Sequence, residues 1–265
     1  RANIDFFSVE EMNDRVMNLF LPVTNMIDPA ASFYLARSRM DARQRFMSAD
    51  HQFPENHNFL RPAGRHHYYE MFPFIEQKTE HQIIDATEFD KAKISDWAKS
   101  RHLDISRCIC ITLRECGAHQ SRNSQLDEWK RVAKNLVAKG YPVVVIRDTA
   151  KAMTPLGWGE GIWELPEAAL MVNLRLAVYQ LCRLNMAVSN GAQVLFYFSG
   201  SHYLCFGMVD ETCSSNTLAH LEKIGFHYGR NQLTGAKDGQ YLCWDKPDAT
   251  TILNVLFDYI KKGLL

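Results

Sequence analysis

The sequence predicts an α/β protein whose larger part is a Rossmann-like, doubly wound parallel sheet, preceded by a smaller, mainly helical or irregular amino-terminal region. Two observations carry this. From Cys108 onward, short runs of apolar and β-branched residues alternate with amphipathic helical segments, the order of successive βαβ units. Cys108–Leu113 and Val143–Ile146 are apolar at nearly every position rather than at alternate ones, as strands covered on both faces require. Before about Asp104 the apolar residues come only in brief patches, Val16–Val23 and Phe72–Ile75, separated by Asp28-Pro29, Pro54-Glu55 and Pro62-Ala63-Gly64. The division expected is residues 1–104, a short amino-terminal region, and residues 105–265, the Rossmann-like domain.

Phe89–Lys99 reads as a short helix leading to the first strand, Cys108–Leu113. The next helix starts near Ser124, a good N-cap with Asp127 three residues on. Its Leu126, Trp129, Val132, Ala133, Leu136 and Val137 recur at helical spacing, and Gly140 ends it. Val143–Ile146 is the second strand. Ala150–Glu164 holds Pro155, Gly157, Gly159 and Gly161 and reads as a loop. Pro166 then opens a helix where its missing N–H costs nothing, with Leu170, Leu174, Ala177, Val178 and Leu181 as its buried stripe. Met186–Val188 is a third strand, followed by Asn190-Gly191 and a helix-like run to Phe198. Tyr203–Phe206 is a fourth strand and Tyr241–Trp244 a fifth. Asp248 caps a last helix with Ile252, Val255, Leu256, Tyr259 and Ile260 on its buried side.

The 265 residues carry 30 basic and 30 acidic side chains, a formal net charge of zero. Nonspecific binding to nucleic acid or anionic membrane needs a surplus of Lys and Arg, so any anion must be held by a local site. The most apolar stretch, Ala192–Phe198, is far too short to span a membrane. Seven cysteines, an odd number, fit reduced thiols and a cytoplasmic location. The chain opens on Arg1 rather than methionine, so the lack of a targeting segment proves little.

No G-x-G-x-x-G, Walker A or G-x-S-x-G sequence is present, which removes most support for dinucleotide, P-loop or serine-hydrolase chemistry. Cys116 and His119 supply half of a zinc pattern and nothing supplies the other half; His66-His67 reads as packing. In doubly wound sheets the ligand lies beyond the carboxyl ends of the strands, which directs attention to the loops there. The first offers Arg114 and Arg122, two guanidiniums suited to phosphate oxygens, or else Arg114 forms a structural ion pair with Glu115 or Asp148. The second begins with Asp148 and Thr149, able to meet a ribose or base edge and equally common as turn residues. The third, Asn190-Gly191-Ala192, turns strand into helix and lets amides approach a phosphate. Glu164 and Glu167 flank Pro166, where the helix dipole favours carboxylates and where they are also candidate ribose ligands or bases.

The segments Ile111-Thr-Leu-Arg-Glu115, Arg122-Asn-Ser124 before a Trp-containing helix, and Val143-Val-Val-Ile-Arg-Asp-Thr149 resemble the carboxyl-terminal domain of GT-B glycosyltransferases. Leu165-Pro-Glu-Ala168 and Ala187-Val-Ser-Asn-Gly191 look like the parts that meet the donor diphosphate. The likeness, nearest to fucosyltransferase-like and heptosyltransferase-like enzymes of bacterial surface polysaccharides, covers about Cys108 to Leu265. It implies a metal-independent transferase with no cofactor, using a nucleotide sugar as donor and a glycan or lipid-linked acceptor. The location implied is cytoplasmic, with peripheral contact at the inner membrane as the alternative. The resemblance implies that Arg114 contacts the diphosphate and is needed for activity, with Asn190 and Gly191 in the diphosphate-facing turn, while the residues themselves add Arg122 and Ala192 to the diphosphate and Glu115 to catalysis. Asp148, Thr149, Glu164 and Glu167 fall to the nucleoside, and the short amino-terminal region to an incomplete acceptor-side domain. Glu115, Asp28, His66 and Glu164 remain open as the general base. The other readings are a fragment, a binding module without turnover, and a partner-binding protein that has lost the site.

Overall fold

The computed structural model describes residues 16–27, 34, 36–50, 84–244 and 247–264. The chain divides into two compact units, Arg1–His67 and Tyr68–Leu265. In the first, a π-helical turn, Val16–Phe20, runs into helix α1, Leu21–Ile27, and helix α2 spans Arg39–Met47. Ser38 starts α2 by accepting from the Asp41 amide at 3.1 Å. Asp41 in turn accepts from the Tyr34 hydroxyl (2.8 Å) and the Arg37 amide (2.9 Å), which fixes the entry to the helix.

The first described helix of the second unit is α3, Glu88–Lys99, whose cap is Thr87. This helix lies before the expected boundary at residues 104 and 105, and it packs on a helix of the sheet unit, with Asn173 donating to Asp90 at 2.7 Å. Strand β1, Ile109–Thr112, helix α4, Leu126–Ala138, strands β2, Val143–Ile146, and β3, Ile162–Glu164, follow. Helices α5, Pro166–Leu170, and α6, Val172–Leu181, lead to strand β4, Leu184–Val188. Helix α7, Val194–Phe198, strand β5, Tyr203–Phe206, helix α8, Leu218–Lys223, strand β6, Gln240–Cys243, and helix α9, Ala249–Lys261, complete it.

Among the described residues six strands form one sheet, all parallel, in the order β3-β2-β1-β4-β5-β6. The expected doubly wound sheet is therefore present. One face packs Ile109, Ile111, Val143, Val145 and Met186 against Trp129, Val132 and Leu136 of α4 and Ile252 and Leu256 of α9, all of them buried. Toward α6, Thr112 meets the Tyr179 hydroxyl at 2.9 Å and Asn185 donates to the Tyr179 carbonyl at 2.8 Å. Because β1 lies between β2 and β4, the chain leaves β1 toward one edge and later resumes at β4 toward the other. The loops at the carboxyl ends of β1 and β4 part there and open a crevice.

Some boundaries differ from expectation for local reasons. Ile162–Glu164, read as the end of a loop, is an edge strand paired with Val143–Val145. The third predicted strand begins two residues earlier, at Leu184, and the fifth spans Gln240–Cys243. Ser124 does not cap α4: its hydroxyl accepts from the Arg114 amide at 2.9 Å, and Gln125 holds the cap position without a side-chain bond. The helix predicted from Pro166 to Leu181 is broken at Met171, which is extended. Arg175 takes the carbonyls of Ala168 (2.8 Å) and Ala169 (3.2 Å) near the break. Pro166, Asp248 and Gly140 stand at the helix ends as expected.

Gly161 is the backbone detail on which β3 depends. Its φ is +78°, its carbonyl accepts from the Val143 amide, and a Cβ there would come within 2.6 Å of Val137 Cγ1 on α4. Gly161→Ala is expected to destabilise the protein by about 1–3 kcal/mol, from left-handed strain together with overpacking. Val137→Ala in the same chain should recover the overpacking part alone. Urea unfolding of the two variants checks this, and an unchanged midpoint for Gly161→Ala would refute it.

Candidate functional site

The loop after β1 closes on itself around Arg114. The Arg114 amide donates to Ser124 Oγ and its carbonyl accepts from the Ser124 amide, both at 2.9 Å. Arg114 as a whole is 7% exposed, and its guanidinium turns back into the loop and donates to the carbonyls of Ala118 (2.9 Å) and His119 (3.0 Å) and to Asn123 Oδ1. Asn123 also accepts from the Cys116 amide (3.1 Å) and donates to the Cys116 carbonyl (2.9 Å). His119 takes a left-handed conformation, φ +51°, to present its carbonyl. The alternative of an ion pair between Arg114 and Glu115 or Asp148 is not what forms.

Glu115 pairs with Arg147 instead. Arg147, at the end of β2, donates through Nε to Glu115 Oε2 at 2.8 Å and through Nη2 to Oε1, while Nη1 reaches the Thr154 carbonyl. The two side chains are 10% and 8% exposed. The hydrogen bonds it donates to Glu115 hold the Arg147 guanidinium even more firmly protonated than usual. Both oxygens of Glu115 are thus occupied, and it does not line the cavity described next.

At the carboxyl ends of β1, β2 and β4 lies a cavity of about 250 Å³. Arg114, Arg122, Asp148, Thr149, Asn190, Gly191 and Ala192, all singled out from the sequence, line it together with Thr112, Cys116 and Arg175. Arg122 spans from the first loop to β4, donating to the Ser189 carbonyl at 3.0 Å and to Cys213 Sγ at 3.7 Å, while its Nε is buried without an acceptor. Burial raises the Cys213 thiol, and hydrogen bonds from Ser215 and Arg122 outweigh it, so the net shift is downward. Asp148 accepts from the Glu115 amide at 3.3 Å, and the Thr149 hydroxyl donates to the Ala169 carbonyl at 3.0 Å. Asn190 and Gln193 exchange amide bonds at 3.2 Å in a capping box, which fixes the turn that carries Gly191 and Ala192. A Cβ on Gly191 would meet nothing within 4 Å, so this glycine leaves space open rather than relieving strain.

Glu164 and Glu167 are elsewhere. Glu164 accepts from the Leu156 amide (2.9 and 3.0 Å) and shapes the loop before β3, and Glu167 is exposed in the first turn of α5. Asp28 and His66 lie outside the described residues. Arg175 was missed in the sequence, where it is one charge on a helix; only the break at Met171 brings it to the cavity. A cavity with three arginines, one carboxylate and open turn amides can hold a multiply charged anion. All seven cysteines are free thiols, and among the described residues no three His, Cys, Asp or Glu side chains are grouped to hold a metal. No described helix is long and apolar enough to cross a membrane.

No protein-family model matches the sequence, and no curated protein matches it. Two solved structures are similar at 12% identity. One is a family 9 glycosyl transferase from Veillonella parvula, with 66% of this chain and 47% of that chain covered and a TM-score of 0.43. The other is the ADP-heptose LPS heptosyltransferase II of E. coli, with 69% and 54% covered and a TM-score of 0.45. The chain thus spans about half the length of either.

Two tests follow from the geometry. Glu115→Ala leaves the Arg147 guanidinium buried without its counter-charge and is expected to cost about 3–5 kcal/mol in denaturant unfolding; a loss below about 1 kcal/mol would mean the pair is not holding the strand ends together. Asp210 secures the same loop from the far side, accepting from the hydroxyls of Ser121 and Thr212, each at 2.6 Å. Those bonds, the Ser121 bond first, hold its carboxyl below the ordinary value of 3.8. Because the shift is downward, the clamp is complete above pH 3.8 and fails as the pH falls through the lowered value. Amide exchange in the loop at 114–124 should accelerate there in the native chain and should show no such step in Asp210→Asn.

Proposed function

We propose that this chain is a glycosyltransferase of the GT-B type. Its cavity at the ends of β1, β2 and β4 takes the diphosphate of a nucleotide sugar, and the sugar passes to a glycan or lipid-linked acceptor without a metal ion. The observation that carries the reading is the convergence of Arg114, Arg122 and Arg175 on one cavity that has Asp148 as its single carboxylate among the described residues. The anion part of the reading rests on that charge. The nucleotide-sugar part rests on the likeness of the strand-end segments to GT-B enzymes.

Departure of a nucleoside diphosphate builds negative charge on the leaving oxygen, and fixed positive groups aimed at it lower the barrier with little reorganisation. Arg122 and Arg175 are held by backbone carbonyls and so are fixed in this sense. Arg114 spends three of its five N–H donors on its own loop and acts on the anion chiefly as a charge. Asp148 has Oδ1 free of protein donors among the described residues, so it accepts either from a ribose hydroxyl or from the acceptor hydroxyl as its base. Glu115 has both oxygens on Arg147 and does not line the cavity. That same occupation of Glu115 favours one second reading, binding of the nucleotide sugar without transfer. Release of nucleoside diphosphate, with and without a glycan acceptor, separates the two.

A thermal-shift screen of nucleoside diphosphates and their sugars tests the site itself. A true ligand at about 100 times its dissociation constant stabilises by roughly 2.7 kcal/mol. Arg122→Ala and Arg175→Ala should each weaken that ligand about 10- to 100-fold, the loss of a charge-assisted contact. Gly191→Val fills the cavity from a position where nothing resists the side chain, and should abolish the shift while leaving the unliganded melting temperature in place. Full binding by Gly191→Val would place the anion elsewhere.

A further inference from the structure

The far edge of the sheet carries a second cavity, of about 350 Å³, whose lining shares no residue with the first. It is bounded by edge strand β6, the carboxyl half of α9 and the loop at 228–231. Three features of its chemistry point to one kind of ligand.

The first is a braced aromatic corner. Tyr228 is 61% exposed, yet its amide donates to Glu222 at 2.6 Å and its ring meets Trp244 at 5.4 Å between centroids, 62° between planes. The indole is held in turn by a bond from Nε1 to the Arg230 carbonyl at 2.9 Å. An exposed ring fixed in this way offers an apolar face at little entropic cost. Behind it, Tyr241 and Tyr259 pack edge to face at 5.8 Å.

The second is a mixed set of polar groups that the protein does not use. Among the described residues the Asn231 amide, the Tyr241 hydroxyl and the Lys262 ammonium make no hydrogen bond, and Asp258 has only Lys261 at 3.6 Å. They combine acceptors, donors and groups that do both, and the lining holds one carboxylate, Asp258, and one ammonium, Lys262, with no surplus of positive charge. This selects against an anion, in contrast to the arginine-lined cavity. The third is that the edge is closed to another strand: the Gln240 and Leu242 amides already donate to the carbonyls of Lys237 (3.1 Å) and Asn231 (2.7 Å).

We propose that this cavity binds a pyranose ring of a neutral carbohydrate, its C–H face against the aromatic corner and its hydroxyls on Asp258, Asn231 and Lys262. A sugar ring has one apolar face and a rim of hydroxyls that both donate and accept, which matches each feature in turn. The volume is within the range of small-ligand sites, roughly 300–1,000 Å³. The proposal goes beyond the donor cavity and does not rest on how that cavity is used.

Saturation-transfer NMR tests it, with neutral di- to hexasaccharides of glucose, galactose, mannose and N-acetylglucosamine as probes on the full chain. At least one sugar should receive saturation at its ring protons. Tyr228→Ala and Asp258→Asn, whose side chains are on the surface, should each weaken that sugar roughly tenfold, the scale of one aromatic or charged contact. Gly191→Val should leave it unchanged, and Tyr228→Ala should keep the thermal shift given by nucleoside diphosphates, so failure here is distinguishable from failure of the donor site. Absence of transfer to every sugar, equal transfer in both surface variants, or loss of transfer in Gly191→Val would each overturn the proposal.

Discussion

The turn of the Arg114 guanidinium back into its own loop is the constraint from which the rest of the site follows. A loop of eleven residues leaving the end of a buried strand must find partners for its carbonyls, and few lie in the sheet. Arg114 meets Ala118, His119 and Asn123 at once, and Ser124 ties the loop's end back to its start. Arg122 is thereby delivered to the end of β4 instead of solvent, where it takes the Ser189 carbonyl. Without the ring of bonds around Arg114 the positive wall of the cavity would have no fixed position.

A second buried arginine sits one strand away and is neutralised in a different manner. Arg147 has a carboxylate across two bonds, so it adds almost nothing to the field in the cavity. Arg114, held by neutral oxygens alone, keeps its charge unopposed. The distinction explains how a chain of zero net charge maintains a locally positive crevice. It also divides labour between neighbouring residues of similar type: Glu115 and Arg147 hold the ends of β1 and β2 together, while Arg114 and Arg122 face the crevice.

What the sequence revealed tracks how strongly burial constrains each element. Strands β1, β2 and β5 are covered on both faces and read as unbroken apolar runs, so they were legible. β3 is three residues at an edge, half-buried, with Gly157, Gly159 and Gly161 before it, and glycine near an edge strand reads as loop. Ser124 carried a sound N-cap signal, yet a competing partner, the Arg114 amide, took its hydroxyl. The strand-end loops named most of the cavity because topology alone puts them there. Arg175 had no such address, since its arrival depends on a break between two helices that the apolar stripe runs straight across.

That break couples the two walls of the cavity. With Met171 extended, the carbonyls of Ala168 and Ala169 lose helical donors, and Arg175 Nε and Nη2 replace them, leaving Nη1 as the group not committed to α5. Thr149 reaches the same Ala169 carbonyl from the end of β2. One turn further along α6, Tyr179 grips Thr112 at the end of β1. Helix α6 therefore holds the end of β1 directly, and the end of β2 through the Ala169 carbonyl that Arg175 and Thr149 share. The three arginines are held by backbone carbonyls before an anion arrives, so little of its binding free energy is lost to ordering the site.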